Sequence, residues 1–475
     1  MHIVMFSINP LFPDRVMGGA PKQLQKVAIH LGESGHSVTV LCTRPLDSPA
    51  PFRWQENALV KPILRFKQPF PQPYAAPAYD IANAFHDVAA HLQTADRFYM
   101  HDGEFLFPFA YQHVPTVVSL RDNVYPETIL GGFLFQGDTL IAISDYSRRF
   151  YLHTMGRFFP DLAERLIVVP NGVDWQQYHP TPPDEILRLI PVNPADDLIL
   201  LHPHRPEPDK GLAETIALAD LLVHHYGLTN LKVLSPRWLA AGLSPEVAAF
   251  YANSQQEIAG RGLEGHFFFH DWVPQALMPQ YYSLGHLTVS LGSFVESFGN
   301  TVYESLGCGT PALATRVSTH RELLPDDLLP KVHVGDIAAA AALAADILRE
   351  RRRTPPATLA YLHQHYGMEG QLAGYAAAIL TAQRRGPLPY RFTPLTEDTR
   401  YRLSPWCYEW ADGFYHDFLA RHQPIPRLSA LLRDFPDGFT AVQSGVSPAE
   451  LDEWYRLGYV TPGVREEELS GGRVP

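Results

Sequence analysis

A chain of 475 residues with 46% hydrophobic residues is long enough for two or three globular domains, each with its own core. Its 38 basic and 50 acidic side chains give a net charge of −12, and such a surface argues against nucleic acid as a partner because it repels phosphate backbones. The three cysteines have no paired spacing, which argues against a disulfide framework and a structural zinc site and fits a reducing cytosol.

The first predicted elements are a strand over His2–Ile8, a loop over Asn9–Gly19 and an amphipathic helix over Pro21–Ser34. The opening residues predict this strand rather than a signal peptide, and no apolar run is as long as a membrane span. We therefore expect a cytoplasmic protein with no integral membrane segment. Further strands are predicted at Ser37–Cys42, Arg97–Met100, Thr116–Leu120, Thr139–Ile143 and Leu166–Val169. Continuous apolar strands separated by helices predict a parallel α/β sheet.

A second α/β series follows the proline-rich segment Pro180–Pro194, which is predicted to be a linker. Its predicted helix is Leu212–Tyr226, and its predicted strands are Leu198–His202, Leu231–Leu234, Phe267–His270, Leu287–Leu291 and Ala312–Ala314. The pattern indicates two Rossmann-like domains, residues 1–180 and 181–385, facing a cleft. We expect the last helix to cross back to the first domain. Ligands of open α/β sheets bind at the carboxyl ends of the strands, so functional residues are expected there.

Residues 386–475 differ in character and predict a linker followed by a small, mainly helical module. Leu428, Leu431 and Leu432 would share one helix face, and Ser447 would cap a second helix that has Pro448 at its first position. We expect the module to contact the acceptor or to join copies of the chain in a homo-oligomer. The alternative is that it packs on the catalytic domains as part of their structure.

The first candidate motif is ESFGNTVYE, from Glu296 to Glu304, after the strand Leu287–Leu291. Asn300 is the predicted N-cap of a helix that Gly307 ends. A glycine at a helix start lets backbone N–H groups approach an anion, so a diphosphate can bind there while Glu296 reaches a neighbouring sugar. Glu304 can accept hydrogen bonds from a ribose diol. The alternative is two surface glutamates with no function.

The second candidate motif is HPHRPEPDKG, after the strand Leu198–His202. Arg205 and Lys210 are cations at a strand end, where they can neutralise the charge that develops on a departing diphosphate. The alternative is two solvated side chains in a loop. His202 and His204 have no third ligand nearby, which favours strand-end residues over a metal site.

The two motifs, in this order, resemble glycosyltransferase family 4, a group of retaining enzymes with the GT-B architecture. Four motifs of that family align over about 385 residues, and the resemblance does not extend to residues 386–475. The family phrase E-x-F-G-x4-E-x4-G-x-P corresponds to Glu296, Phe298, Gly299, Glu304, Gly309 and Pro311, and the family's Arg-x4-Lys-Gly corresponds to Arg205, Lys210 and Gly211. The family's Gly-Gly loop corresponds to Gly18 and Gly19, and its Pro-Asn-Gly-Val-Asp to Pro170–Asp174.

This resemblance implies a glycosyltransferase of the hexosyltransferase class that moves a sugar from a UDP- or GDP-sugar to an acceptor, with retention and with no metal or cofactor. It implies an acceptor-side first domain and a donor-binding second domain. Glu296 would contact the donor sugar, Arg205 and Lys210 the diphosphate, and Glu304 the ribose. The remaining donor-binding positions implied are Gly18 and Gly19, which close over the phosphates, and Phe298, Gly299 and Asn300.

One position departs from the family. After the strand Thr116–Leu120 the family usually has a histidine that lines the cleft near the donor sugar, and here Arg121 stands there. His101, after the preceding strand, is expected to do part of that histidine's work. Arg121 itself either faces an anionic group of the substrate or forms a structural ion pair with Asp102 or Asp122.

Other classes are less consistent with the sequence. A nicotinamide dehydrogenase needs G-x-G-x-x-G directly after its first strand, whereas the first loop holds only Gly18 and Gly19, well after that strand. A catalytically silent sugar-nucleotide-binding or scaffold protein of the GT-B fold stays an alternative, although the intact charged residues of both motifs count against it. A GT-B epimerase or phosphorylase is a further alternative.

Overall fold

The computed structural model describes residues 1–14, 16, 18–44, 50–65, 76–102, 107–205, 207–237 and 245–463, and the account below concerns these residues. They form two compact units. The first comprises Met1–Pro170 together with the chain from Glu369 onwards, and the second comprises Asn171–Met368.

The first unit is built on an eight-stranded sheet in the order β3-β4-β2-β1-β5-β6-β7-β8. Strand β3 pairs antiparallel with β4, and the other neighbouring pairs are parallel. The central strands are buried almost throughout, as is expected of a sheet with both faces covered. The strands are β1 His2–Pro10, β2 Ser37–Thr43, β3 Phe52–Gln55, β4 Ala58–Leu64, β5 Arg97–His101, β6 Thr116–Leu120, β7 Thr139–Ala142 and β8 Leu166–Val168.

In the described part of this stretch, four α-helices accompany the sheet before the chain enters the second unit. Helix α1 buries Leu24, Val27, Ala28 and Leu31, the four residues whose spacing predicted one apolar face. It begins at Gly19, two residues before the predicted start, because Gly18 adopts φ 102° and ends the preceding loop. The helices are α1 Gly19–Glu33, α2 Ala78–Leu92, α3 Pro126–Phe133 and α4 Asp145–His153.

The second unit contains a six-stranded parallel sheet in the order β11-β10-β9-β12-β13-β14. This is the strand order of a Rossmann fold, in which the direction of winding reverses between β9 and β12. In open α/β sheets of this order, ligands bind at the carboxyl ends of these two strands. The strands are β9 Leu198–Leu201, β10 Leu231–Pro236, β11 Phe267–His270, β12 Leu287–Ser290, β13 Ala312–Thr315 and β14 Lys331–Val332.

Within the described residues, the second unit has seven α-helices. The alanine-rich helix α10 buries Ala340, Ala341, Ala344 and Ala345 in the same core as α6, where their small side chains allow close packing. Among the described residues, no helix combines the length and the apolar character that crossing a bilayer would require. The helices are α5 Ile186–Leu189, α6 Leu212–Asp220, α7 Pro245–Gly260, α8 Met278–Leu284, α9 Asn300–Gly307, α10 Ile337–Arg349 and α11 Pro356–His365.

Helix α12, Met368–Thr381, packs into the core of the first unit. Its Tyr375 and Ile379 are buried there together with Val27 of α1 and Val169. Gly374 permits this contact, because a Cβ at that position would lie 2.8 Å from Cγ1 of Val169.

The C-terminal module contains two three-stranded antiparallel sheets, β19-β15-β20 and β16-β17-β18, which the sequence did not predict. A mixed α and β module therefore corrects the prediction of a mainly helical one. Aromatic residues between Pro405 and Leu419 lie in and around the hairpin of β16 and β17, and Ala411 takes φ 52° in its turn. The strands are β15 Arg400–Leu403, β16 Cys407–Trp410, β17 Gly413–His416, β18 Arg421–Pro424, β19 Phe439–Thr440 and β20 Val460–Pro462.

Two of the module's helices are those that the sequence predicted. Ser447 caps the last of them by accepting a hydrogen bond from the N–H of Glu450, and Pro448 follows at the first helical position. Leu428 and Leu431 are buried on one face of the first. The helices are α13 Pro426–Asp434, α14 Ala441–Ser444 and α15 Pro448–Arg456.

The module packs on helix α4 within the first unit. The hydroxyl of Tyr146 donates a hydrogen bond of 2.8 Å to Oδ2 of Asp417, and both side chains are buried. Phe150 lies against Trp406 and Phe418, with ring centroids 5.6 and 5.4 Å apart. Trp406 and Phe418 are therefore part of a packing surface between the module and α4.

Candidate active site

The two candidate motifs of the second unit meet at the switch point between β9 and β12. Nζ of Lys210, in the loop after β9, donates a hydrogen bond of 2.7 Å to Oε1 of Glu296, in the loop after β12. The two residues are 86 positions apart in the chain. Their side chains are mostly enclosed, with 13% and 23% of their surfaces exposed. The topology of the sheet thus brings two predicted catalytic residues into direct contact.

The surroundings of this pair fix its charge state. Burial opposes ionisation of Glu296, but the ammonium of Lys210 and the guanidinium of Arg205 outweigh it and hold the pKa of the carboxyl below its ordinary value. The ammonium of Lys210 also lies 3.3 Å from the centroid of the Phe294 ring, a close cation–π contact. At neutral pH Glu296 is therefore a carboxylate, which accepts hydrogen bonds and donates none.

Arg205 is the more exposed cation of the same loop. Its side chain is 37% exposed, and its Nε lies 3.3 Å from Oε1 of Glu207. Gly211 follows Lys210 with φ 88°, a left-handed conformation that suits glycine, and caps helix α6. The loop therefore presents one enclosed and one exposed cation at the start of a helix, where negative charge is favoured.

The loop that carries Glu296 leads directly into helix α9. Gly299, with φ 84°, is the N-cap, and Asn300 is the first helical residue. The prediction of Asn300 as the cap is wrong, because the chain enters the helix through a left-handed turn that glycine adopts without strain. The Oδ1 of Asn300 accepts a hydrogen bond of 3.4 Å from Asn171. Phe298 is buried against Tyr303, with ring centroids 4.8 Å apart, so its side chain belongs to the core.

Glu304 lies further along α9, among tyrosine hydroxyls. The hydroxyl of Tyr282 donates to its Oε2 at 3.3 Å. Burial, and after it the carboxylate of Glu304, raises the pKa of Tyr178 above its ordinary value. These contacts hold Glu304 as a hydrogen-bond acceptor on α9.

A small pocket surrounds Lys210 and Glu296. Several of its residues were not singled out by the sequence, since each is a common residue type at a strand end and only the fold gathers them. The pocket is lined by His204, Asp209, Lys210, Ser290, Gly292, Phe294, Glu296, Thr315 and His320.

The two histidines that follow β9 differ in role. His202 is fully buried and its Nδ1 pairs with Oγ1 of Thr215 at 3.0 Å, which makes it a core residue. Burial, followed by the charge of Lys210, lowers the pKa of His204 to about 3, so its imidazole is neutral in the pocket wall. In the described part of the chain, no three His, Cys, Asp or Glu side chains cluster in a way that could hold a metal ion.

The predicted site residues of the first unit lie around the start of helix α1. Gly18 precedes the helix and Gly19 is its first residue. His101, at the end of β5, places its Nε2 2.9 Å from the carbonyl oxygen of Ala20 and its Nδ1 2.6 Å from the hydroxyl of Tyr99. A carbonyl only accepts, so Nε2 carries the proton and Tyr99 donates to Nδ1. His101 therefore ties the Gly18–Gly19 turn to the sheet, and burial lowers the pKa of its neutral imidazole.

Arg121 is 9% exposed and contacts helix α12. Its Nη1 donates a hydrogen bond of 2.8 Å to the hydroxyl of Tyr375, which also lies 2.9 Å from Oγ of Ser119. Asp122 accepts hydrogen bonds from Thr128 and from two backbone N–H groups at the start of α3. The carboxylate of Asp122 thus organises that turn, while Arg121 links β6 to α12.

Two segments of the chain match known protein families. Residues 17–177 match the family described as Glycosyltransferase Family 4, and residues 185–354 match the family described as Glycosyl transferases group 1. The first match contains Gly18, Gly19, His101 and Arg121, and the second contains both motifs of the pocket. No curated protein sequence gives a significant match to this chain.

The fold is similar to several solved structures of low sequence identity. Sucrose-phosphate synthase from Thermosynechococcus elongatus is 13% identical with a TM-score of 0.61, covering 79% of this chain and 97% of its own. Anabaena HepE in complex with UDP and glucose is 18% identical with a TM-score of 0.62, covering 80% and 99%. A glycosyltransferase from Rickettsia africae is 15% identical with a TM-score of 0.61, covering 80% and 99%. With both family matches and this fold, the chain belongs to the glycosyltransferases of the family 4 type, with the GT-B fold of two Rossmann-like domains.

Proposed function

We propose that this glycosyltransferase is a metal-independent hexosyltransferase that moves a sugar from a UDP- or GDP-sugar to an acceptor hydroxyl with retention of anomeric configuration. The observation that carries the proposal is the contact between Lys210 and Glu296 in the pocket between β9 and β12. It sets a fixed cation beside a carboxylate at the position where open α/β sheets bind nucleotides. The UDP and glucose bound by the structurally similar HepE are consistent with such a donor.

Binding of the donor diphosphate uses the charges around this pocket. Lys210 supplies a compact positive charge, and Arg205 supplies a planar guanidinium that can contact two phosphate oxygens. The N-terminus of α9 adds backbone N–H groups and the positive end of the helix dipole. Glu304, further along α9, accepts hydrogen bonds from the ribose diol. Together these groups provide the positive field that a metal ion provides in other enzymes.

Glu296 changes partner in this proposal. In the free protein its carboxylate pairs with Lys210, and the donor diphosphate competes for that ammonium when it binds. The carboxylate then accepts a hydrogen bond from a hydroxyl of the donor sugar. Glu296 is thereby a group that touches the reacting sugar, and its charge opposite the anomeric centre favours the positive character that develops there.

In the transfer step, the bond between the anomeric carbon and the phosphate oxygen breaks while the acceptor oxygen bonds to the same face of that carbon. The acceptor proton passes to the departing phosphate oxygen, so this step requires no separate protein base. Lys210 and Arg205 stabilise the negative charge that builds on the leaving diphosphate. This stabilisation grows along the reaction, so it accelerates the chemical step rather than only tightening binding.

The test is to incubate the protein with UDP- and GDP-sugars, with and without EDTA, and to measure nucleoside diphosphate release. The anomer of the released or transferred sugar is read by NMR. Lys210→Ala and Arg205→Ala should each lower kcat/KM by roughly two to four orders of magnitude. Arg261→Ala is the matched control, since Arg261 is also 37% exposed and paired with carboxylates but contacts α6 and α7.

Each arm of this experiment can contradict one part of the proposal. Loss of activity in EDTA would exclude metal independence, and an inverted anomer would exclude retention. Near-normal turnover in both variants would remove Lys210 and Arg205 from the diphosphate site. If no sugar nucleotide binds or reacts, the silent scaffold is the better interpretation.

A further inference from the structure

His320 is a buried pocket residue with no role in the account above. It lies in a short turn after β13, Ser318–Arg321, and is 2% exposed. It lines the same pocket as Lys210 and Glu296. Neither of its two ring nitrogens has a hydrogen-bond partner within the residues that the structure describes. Buried polar side chains are nearly always hydrogen-bonded, so two orphaned nitrogens on one ring require an explanation.

The backbone around His320 is held in a strained position. Ser318 has φ 46°, a left-handed conformation that is costly for a residue with a side chain. Its Oγ donates a hydrogen bond of 2.7 Å to the carbonyl oxygen of Glu296. The imidazole of His320 lies against Gly299, where a Cβ would be 2.9 Å from Nε2. The turn is therefore anchored to the Glu296 loop, and the ring is fixed at the start of α9.

The imidazole offers both a donor and an acceptor. Burial lowers the pKa of His320 to about 4, with Glu296 opposing this shift and Lys331 and Lys210 adding to it. The ring is therefore neutral at physiological pH, with one N–H group and one free lone pair. Without partners, both groups cost free energy in the folded protein. These unpaired groups lie beside the candidate active site, so a bound ligand that hydrogen-bonds to them would remove that free-energy cost.

We propose that His320 binds the donor by hydrogen-bonding a hydroxyl of the transferred sugar next to Glu296. This rests on the proposed function. A hydroxyl donates one hydrogen bond and accepts others. The Glu296 carboxylate only accepts, so it can accept a hydrogen bond from the hydroxyl, and the N–H of His320 can donate one to the hydroxyl oxygen. A phosphate would instead bind Lys210 and Arg205, because their positive charges bind an anion more strongly than the neutral imidazole of His320 does.

This assignment gives the pocket a means of selecting its sugar. A sugar without that hydroxyl would leave the carboxylate and the imidazole without the shared partner, and sites of this kind reject such analogues strongly. His320 and Glu296 together would recognise the hydroxyl group at one position of the donor sugar. The wild-type protein should therefore discriminate against one particular deoxy analogue of its donor sugar and tolerate the others better.

The main test is His320→Phe, which keeps an aromatic ring and removes both nitrogens. Because no hydrogen bond is lost in the free protein, its thermal midpoint should stay the same or rise. Affinity for the donor sugar nucleotide should fall by about 10- to 100-fold, whereas affinity for the matching nucleoside diphosphate should change less than about twofold. The probes are UDP-glucose with UDP and GDP-mannose with GDP, followed by thermal shift and calorimetry.

The control is His270→Phe, another buried histidine of the same unit. The ring of His270 bonds the hydroxyl of Tyr281 and the carbonyl of Asp271, at 3.1 and 2.7 Å, and it does not line the pocket. Its replacement should lower the thermal midpoint and leave donor affinity unchanged. His320→Gln keeps an amide in place of the ring, so it should recover part of the donor affinity even if the phenylalanine variant folds poorly.

The outcomes separate this inference from the proposed function. If no sugar nucleotide stabilises the wild-type protein, the proposed function fails. If one does, and His320→Phe binds it as tightly as the wild type, the assignment of His320 is overturned. An equal loss of affinity for the sugar nucleotide and for the nucleoside diphosphate would overturn the hydroxyl contact.

Discussion

Gly211 and Gly292 approach each other so closely that neither position can hold a side chain. A Cβ at Gly211 would lie 2.8 Å from Cα of Gly292, and a Cβ at Gly292 would lie 2.7 Å from the carbonyl carbon of Lys210. The N–H of Phe294 donates to the carbonyl oxygen of Asp209 at 3.0 Å in the same place. The backbones of the loops after β9 and β12 are thus in direct contact. This contact positions the ammonium of Lys210 against the carboxylate of Glu296 and the ring of Phe294.

Gly211→Ala should therefore destabilise the protein by more than its backbone conformation alone explains. Gly227→Ala is the matched control, since Gly227 has φ 72° with no neighbour within 4 Å of a Cβ, against φ 88° for Gly211. The control should cost about 1 kcal/mol for the left-handed backbone, and Gly211→Ala about 1–3 kcal/mol more for the collision. Urea unfolding gives both values, and donor turnover should fall only in Gly211→Ala. Equal costs would mean that the two loops are not locked together.

Substitutions of Lys210 and Glu296 should have non-additive effects on the free energy of unfolding, whereas turnover should be low whenever Lys210 is replaced. Lys210→Met leaves a largely enclosed carboxylate without its partner, which should cost about 1–3 kcal/mol of unfolding free energy. Adding Glu296→Gln removes that charge, so the double variant should recover much of the loss. Turnover should stay low in both, because both lack the Lys210 ammonium that the diphosphate needs. Additive stability effects in this double-mutant cycle would show that the contact contributes little.

The two glutamates of the ESFGNTVYE motif should have different kinetic effects. Glu296→Gln should lower kcat more than Glu304→Gln, because Glu296 contacts the reacting sugar in the proposed mechanism. Glu304→Gln should mainly raise the KM for the donor, since Glu304 binds the ribose and is held beside Tyr282. Steady-state kinetics with varied donor concentration separates the two effects. The reverse pattern would exchange the roles of the two residues.

The parts of this protein that the sequence predicts well are those set by local periodicity and by spaced motifs. Apolar strands separated by helices indicate two parallel sheets, and the position of Lys210 and Glu296 after two strands predicts that they lie at strand ends. The contact between them follows from the strand order, which no local pattern contains. Gly292, Phe294 and His320 were missed for the same reason, because each joins the pocket through the sheet topology.

Two local predictions failed where a competing conformation had the lower free energy. Asn300 is a good capping residue, but Gly299 precedes it and takes the left-handed cap position without strain. In the C-terminal module, aromatic residues between Pro405 and Leu419 fit a helix face or an alternating strand equally well over so short a run. The chain forms a hairpin there, and Trp406 and Phe418, on either side of its two strands, pack against Phe150 of α4.

Arg121 offers a direct test of its two interpretations. Its hydrogen bond to Tyr375 and its burial lead us to expect a structural role. Arg121→His should lower the free energy of unfolding by about 1–3 kcal/mol, and Tyr375→Phe, which removes only the hydroxyl, by about 1 kcal/mol. The ratio of kcat/KM for a neutral and an anionic sugar on the same nucleotide should stay within about twofold of the wild-type ratio. A shift of tenfold or more towards the neutral sugar would instead indicate an anionic substrate group beside Arg121.

Truncation after Gly386 should unfold the first unit rather than release an active core. The module covers α4 with buried contacts, including the hydrogen bond between Tyr146 and Asp417 and the pairing of His153 with Thr461 at 2.9 Å. Its removal would expose Phe150 and leave the hydroxyl of Tyr146 without Asp417, both of which are costly. Circular dichroism and thermal unfolding of the shortened chain measure the effect.

Point variants make the same test without deleting the module. Trp406→Ala removes a buried ring against Phe150 and should cost about 3–5 kcal/mol, whereas Val442→Ala, at a position that is 69% exposed, should cost almost nothing. Both variants should keep the donor specificity of the wild type, since the contacts they change lie on α4 or at the surface. If the shortened protein instead stays folded and hydrolyses donor, but loses transfer to its acceptor or its oligomeric state, the module serves recognition or assembly. That result would overturn the structural role argued from the contacts with α4.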